Sequence, residues 1–109
     1  MRLSPETKTV LIRLAAECSD REVCGLLDSA GEAYPIRNVS GRAGCAFVFH
    51  KADYYLALDH IARRGRDVAA IYHSHPGNDT QPSAEDLATA VRFDLPMVIV
   101  AGSEVVCHE

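Results

Sequence analysis

The chain has 109 residues and a mass of 11.9 kDa, with 11 Lys plus Arg against 15 Asp plus Glu and a net charge of -4. That is the length of one domain, spanning 1–109, and a content of 48% apolar and 24% charged residues suits a globular core and excludes intrinsic disorder. The longest apolar run, Leu95 to Ala101, falls far short of the roughly 20 residues that cross a bilayer, and an acidic balance with Arg63, Arg64 and Arg66 as the only basic group excludes nucleic acid as the main partner.

Met1 to Glu6 holds no apolar signal core, so a cytoplasmic chain that does not engage a membrane is expected. Ser4 is placed to cap a helix, Pro5 suits its first position and Glu6 faces the positive end of its dipole. Val10, Leu11, Leu14, Ala15 and Cys18 then share a face at helical spacing. Val23 to Leu27 reads as a strand, Asp28 to Gly31 as a turn, and Ala33 to Arg37 as a return strand that Pro35 confines to a sheet edge. Ala46 to His50 is a further strand candidate, and Ala52 to Arg64 is helical, stopped by Gly65. Val68 to Tyr72 is a strand that runs into two histidines, 76–82 is a polar loop, and Ala84 to Phe93 is a helix opened by Ser83. Pro96 to Ala101 and Val105 to Cys107 form a closing hairpin around Gly102-Ser103. This order predicts an α/β chain with a mixed β-sheet flanked by helices. Cys18, Cys24, Cys45 and Cys107 are far apart in sequence, and without a secretion signal they read as free, mostly buried thiols.

The chemistry is concentrated between His73 and Asp86. In an extended backbone the side-chain period is two, so His73 and His75 leave the strand end on one side. A loop follows, and Asp86 at the start of the next helix can fold back as a third ligand. Two imidazoles, one carboxylate and an open fourth position are the ligand set of a catalytic zinc site. Ser83 to Asp86 also fits a capping box, and a His-x-His pair alone can be two hydrogen-bonded surface residues. The metal reading outweighs both because the pair ends an apolar strand and the acid opens a helix. Such a site needs a carboxylate that takes a proton from water and returns it to a leaving amine. Glu22, just before a strand, is the candidate, with Glu6, Glu17 and Glu32 as alternatives. Cys24 as a nucleophile with His73 as its base is a competing reading, set aside because a Cys in an apolar strand usually packs. Cys107 with His108 as a metal pair is set aside for want of spaced partners, and His50 and His60 read as structural.

Glu22-Val23-Cys24-Gly25-Leu26-Leu27, then His73-Ser74-His75-Pro76, then Pro82-Ser83 and Asp86, resembles the JAMM motif of the JAB1/MPN/Mov34 metalloproteases, small prokaryotic type. Ser74 stands where the RadC branch carries Asn. The resemblance implies a JAB1/MPN, cytidine-deaminase-like architecture, with zinc held by His73, His75 and Asp86 and Glu22 as general acid and base. It further implies that Ser83 donates a hydrogen bond to the tetrahedral intermediate. The implied activity is hydrolysis of a peptide or isopeptide bond, with a protein or peptide substrate that includes the C-terminus of a ubiquitin-like sulfur carrier. Deubiquitination is not expected, since the insertions that grip two ubiquitins have no room. Members often continue with a further strand and helix, so a homodimer that completes the sheet or covers an apolar edge is expected. The alternatives are a non-catalytic adaptor or dimerisation module, and a phage-tail or cell-wall-associated hydrolase module.

Overall fold

A computed structural model describes residues 2–77 and 79–109, so Met1 of the expected start and Asn78 of the expected loop lie outside the described residues. Helix α1 spans Pro5–Ala16, with the Ser4 side chain accepting from the Thr7 amide as its cap and Pro5 at a position where a missing N–H costs nothing. Cys18 lies past its end. Strands β1 (Cys24–Asp28) and β2 (Ala33–Ile36) form the first hairpin. They are followed by α2 (Lys51–Arg63), β3 (Val68–Ser74), α3 (Ala84–Phe93), β4 (Met97–Ala101) and β5 (Glu104–His108). The sheet order is β2-β1-β3-β4-β5, and only β3 with β4 is parallel, the pair joined through α3. Pro35 does lie on the edge strand, where its missing N–H breaks no ladder between strands.

Alternation along the strands sorts the core onto the two faces of the sheet. On one face Leu27, Ala70, Tyr72, Val98 and Val100 pack with Leu11 of α1. On the other, Leu26, Ile71, Met97 and Ile99 pack with Ala57 and Ile61 of α2 and with Ala90 and Phe93 of α3. The expected mixed sheet flanked by helices is therefore present, with helices on both faces. Its centre depends on Gly25, which pairs with Tyr72: a Cβ there would stand 2.3 Å from the Tyr34 carbonyl oxygen and 2.6 Å from the Tyr72 hydroxyl.

Residues 46–50 are not the expected strand. The segment is extended, but it pairs with residues 37–39 through one isolated bridge, Asn38 with Phe49, and two flanking main-chain bonds. The reason is that the Asn38 side chain takes the places of ladder partners, donating to the Ala46 carbonyl and accepting from the Val48 amide. His50 then leaves the extended run to cap α2, its Nδ1 accepting from the Asp53 amide at 3.2 Å, which gives the structural role expected of that residue. The alternation that suggested a strand still serves packing. Phe47 and Phe49 share one side, their ring centroids 5.5 Å apart, and Phe49 meets Tyr54 and Phe93.

Candidate metal and catalytic site

The site forms where β3 ends. Because Ile71 faces α2 and α3, a period of two brings His73 to the same face, where it is fully buried beneath the Phe47 ring at a centroid distance of 4.7 Å. The His75 amide continues the pairing of β3 with β4 by donating to the Val100 carbonyl. Its ring thereby comes to lie with Nε2 3.0 Å from Nε2 of His73. Asp86 arrives from α3. The capping box foreseen as the alternative to metal binding is present: the Asp86 amide donates to Ser83 Oγ and the Ser83 amide to Asp86 Oδ2. The same carboxylate also reaches the histidines, with Oδ1 3.2 Å from His73 Nε2 and Oδ2 3.1 Å from His75 Nε2. The two readings describe one side chain, and the cap is what orients it.

The donor set fits a metal ion. Ligand atoms of His73, His75 and Asp86 all lie within 4.8 Å of one another. A tetrahedral ion bound at about 2.0–2.1 Å requires its ligands roughly 3.3 Å apart, close to the edges observed. Tautomer chemistry points the same way. His75 Nδ1 faces the Asp79 carbonyl, which only accepts, so Nδ1 carries the proton and, in the neutral ring, Nε2 presents a lone pair. That lone pair faces a carboxylate oxygen, an arrangement of two acceptors that a cation between them resolves. Burial pushes His73 below the usual imidazole range, with Asp86 opposing, and a neutral ring is the ligating form. Burial alone would raise Asp86, but hydrogen bonds from His73 and Ser83 hold its carboxyl well below the usual range.

Glu22 stands beside this cluster, 4% exposed, and its Oε1 has no hydrogen-bond partner among the described residues. Burial pushes its carboxyl up to about 7, His75 opposing and Asp86 and Glu85 adding to the rise. Its backbone is held firmly: the Glu22 amide donates to the Ala43 carbonyl at 2.6 Å, and the next peptide is clamped by Ser74, whose Oγ accepts from the Val23 amide and whose own amide donates to the Val23 carbonyl. Of the alternatives, Glu6 and Glu17 are exposed and Glu32 pairs with Arg64. Sequence reasoning gave no role to Ser74 or Phe47. A lone hydroxyl between two histidines, in a strand otherwise apolar, was the signal for the first; the second was hidden in an apparent strand.

The competing thiol reading meets a Cys24 pushed up to about 12 by burial, its Sγ donating to the Ile36 carbonyl, so it is not a thiolate at neutral pH. All four cysteines are free, but only Cys24 is buried; Cys18 and Cys107 are half-buried and Cys45 is exposed, which corrects the expectation of mostly buried thiols. Cys18 and Cys45 lie in connections outside the helices and strands, and Cys107 lies on the edge strand β5, positions that a chain of this length has little interior to cover. His108 donates to the Thr80 carbonyl and stands apart from the metal grouping.

A sheet of this order, with two histidines at a strand end and an aspartate at the following helix, defines a JAB-type domain. The family described as prokaryotic homologs of the JAB domain matches residues 4–108, and the chain belongs to it. It is 34% identical over 71 residues to a desampylase of Haloferax volcanii, an alignment that covers 60% of this chain and 51% of the relative, so the chain spans about half the length of that protein. A solution structure of a Desulfitobacterium hafniense protein has a TM-score of 0.77 at 25% identity, covering 96% of this chain and 79% of that one. The crystal structure of a JAB1/MPN domain protein from Archaeoglobus fulgidus has a TM-score of 0.69 at 22% identity, covering 100% and 89% respectively, and shares the fold.

Proposed function

We propose that this protein is a zinc-dependent peptidase or isopeptidase whose metal is held by His73, His75 and Asp86. The observation that carries the reading is the pairing of that triangle of donors with a buried, unpartnered Glu22 carboxylate whose pKa is about 7. Held by these three side chains, a zinc ion would supply a Lewis acid and would lower the pKa of water to about 7. Glu22, buried beside the metal ligands with a free carboxylate oxygen, accepts a proton from the attacking water and returns it to the leaving nitrogen. Ser83 Oγ accepts from the Asp86 amide, which leaves its hydroxyl proton to donate to the oxyanion that develops at the substrate carbonyl. Phe47 and the buried strand end keep bulk water from His73. The substrate we infer is a bond at the C-terminal tail of a ubiquitin-like sulfur carrier, supported by the similarity to the Haloferax desampylase.

Elemental analysis of the purified chain beside Asp86→Ala and His75→Ala tests the ligands. Near one zinc per chain is expected, lost in both variants; unchanged zinc in both would remove them from the ligand set. Cleavage of a sulfur-carrier fusion at its tail, insensitive to Cys24→Ala and abolished by a chelator, separates this reading from the thiol mechanism. Full zinc without cleavage of any tail fusion would favour the adaptor module.

A further inference from the structure

Asn38 lies outside every motif that points to the site, yet its side chain uses its whole hydrogen-bonding capacity next to it. Nδ2 donates to the Glu22 carbonyl and to the Ala46 carbonyl, each at 3.0 Å. Oδ1 accepts from the Ser40 amide at 3.0 Å and from the Val48 amide at 3.1 Å. The Asn38 carbonyl in turn accepts from Arg21, the residue before Glu22, at 2.9 Å. Two of these groups, the Ala46 carbonyl and the Val48 amide, flank Phe47, the residue whose ring lies on His73. One amide thus grips the main chain of Glu22 with one atom and the segment that carries Phe47 with both.

We propose that Asn38 is the positioning residue that ties Glu22 to the Phe47 segment and so sets where the carboxylate stands relative to the ring that covers His73; its effect on turnover rests on the metallopeptidase reading. Among the described residues no other side chain bonds to both the Glu22 main chain and the 46–48 run. The chain before β1 and the extended run of 46–48 share no strand ladder; the Glu22 amide also donates to the Ala43 carbonyl, in the turn that the Ala46 amide closes onto the Arg42 carbonyl, but that bond stops short of the residues that flank Phe47. Without the amide, Glu22 keeps the Ala43 bond and the Ser74 clamp on Val23 but loses the hold on its carbonyl, and a displacement of the carboxylate by an ångström is enough to lower a rate by about a hundredfold. The metal ligands, held by β3 and by the α3 cap, do not depend on it.

The test compares the full-length wild type with Asn38→Ala, Asn38→Asp and a remote control, Tyr34→Phe, at a temperature where all are folded. On a sulfur-carrier tail fusion, Asn38→Ala is expected to lower kcat by about tenfold or more with KM within about twofold and zinc retained, while the control keeps its kcat. Without reference to activity, NMR of the zinc-free protein should show the His73 ring protons losing the ring-current shift imposed by Phe47, and faster exchange of the Ser40 and Val48 amides. Asn38→Asp keeps the accepting oxygen and loses the donors. Its Val48 amide should stay protected while its turnover falls as in the alanine variant, which separates the two donated bonds, to Glu22 and Ala46, from the two accepted ones and serves as the readout should Asn38→Ala fail to fold. Unchanged kcat, unchanged His73 resonances, or loss of zinc in step with turnover would each overturn the proposal. If the zinc-loaded wild type cleaves no tail fusion, it is the peptidase reading that fails, and the His73 shifts and amide exchange still decide whether Asn38 ties the two segments together.

Discussion

Two buried carboxylates bracket strand β1, and they have been treated in opposite ways. Asp28, the last residue of the strand, is fully buried and fully satisfied: Oδ1 accepts from the Ala30 and Glu32 amides, and Oδ2 from the Tyr34 hydroxyl and Arg66. Burial by itself would raise its pKa, but the hydrogen bonds from Tyr34, Arg66 and the Ala30 amide, with the Arg66 charge, hold it below the ordinary carboxylate value. Glu22, just before the strand, has an oxygen with no partner and is pushed up to about 7. A buried polar group left unsatisfied costs on the order of 1–3 kcal/mol, so the difference separates a carboxylate kept for the fold from one kept at the expense of the fold.

The largest effect expected is on turnover. Glu22→Gln, nearly isosteric, should retain zinc and stability and lose activity by about 10²–10⁴-fold; a variant with near wild-type kcat would break the contrast at its upper end. Asp28→Ala should do the reverse, costing about 3 kcal/mol in urea unfolding because it strands two amides, a hydroxyl and a guanidinium, while kcat of the folded fraction stays unchanged.

A third outcome sharpens the pair through pH, measured on zinc-free protein. Glu22, raised from 4.5 to about 7, takes up a proton on folding. Its neutral form is the one the fold tolerates, so its contribution worsens as pH rises from 4.5 to 7, and Glu22→Gln should gain on wild type across that window. Asp28 has the opposite sign. Its stabilisation is complete above the ordinary value of 3.8 and is lost as pH falls below that through its folded pKa, so wild type and Asp28→Ala should converge in acid. The smallest effect belongs to neither carboxylate. Arg42 and Glu85 form an exposed pair, with side chains 62% and 63% accessible, that joins the 38–46 loop to α3. Arg42→Ala should change stability by about 0–1 kcal/mol, less in high salt; a larger loss would mean that this loop holds Glu22 more tightly than the Asn38 and Ser74 contacts imply.

Much of this architecture was legible in the chain. Ser4 and Pro5 announced α1, Pro35 announced an edge strand, and the spacing of His73, His75, Ser83 and Asp86 announced a cluster that the structure does assemble. These are local signals: cap chemistry, a missing N–H and a two-residue period act over a few residues and survive in any tertiary setting. The run 46–50 misled for the same reason. Its alternation is real, but whether an extended run joins a ladder depends on which donors face it, and here an asparagine eight residues earlier in the chain does.

By itself, then, the sequence determined the three helices, the five strands of the sheet, the Ser4 and Ser83 caps, the family resemblance and the residue types that gather at the strand end. Only the tertiary structure decided which carboxylate is satisfied. Glu22, Glu32 and Asp28 are chemically alike and close in sequence, and their fates depend on whether donors from β2 and from the segment after α2 converge on them or leave them alone in the interior. Charge-state energies follow burial and partners, and both are properties of contacts between residues distant in the chain.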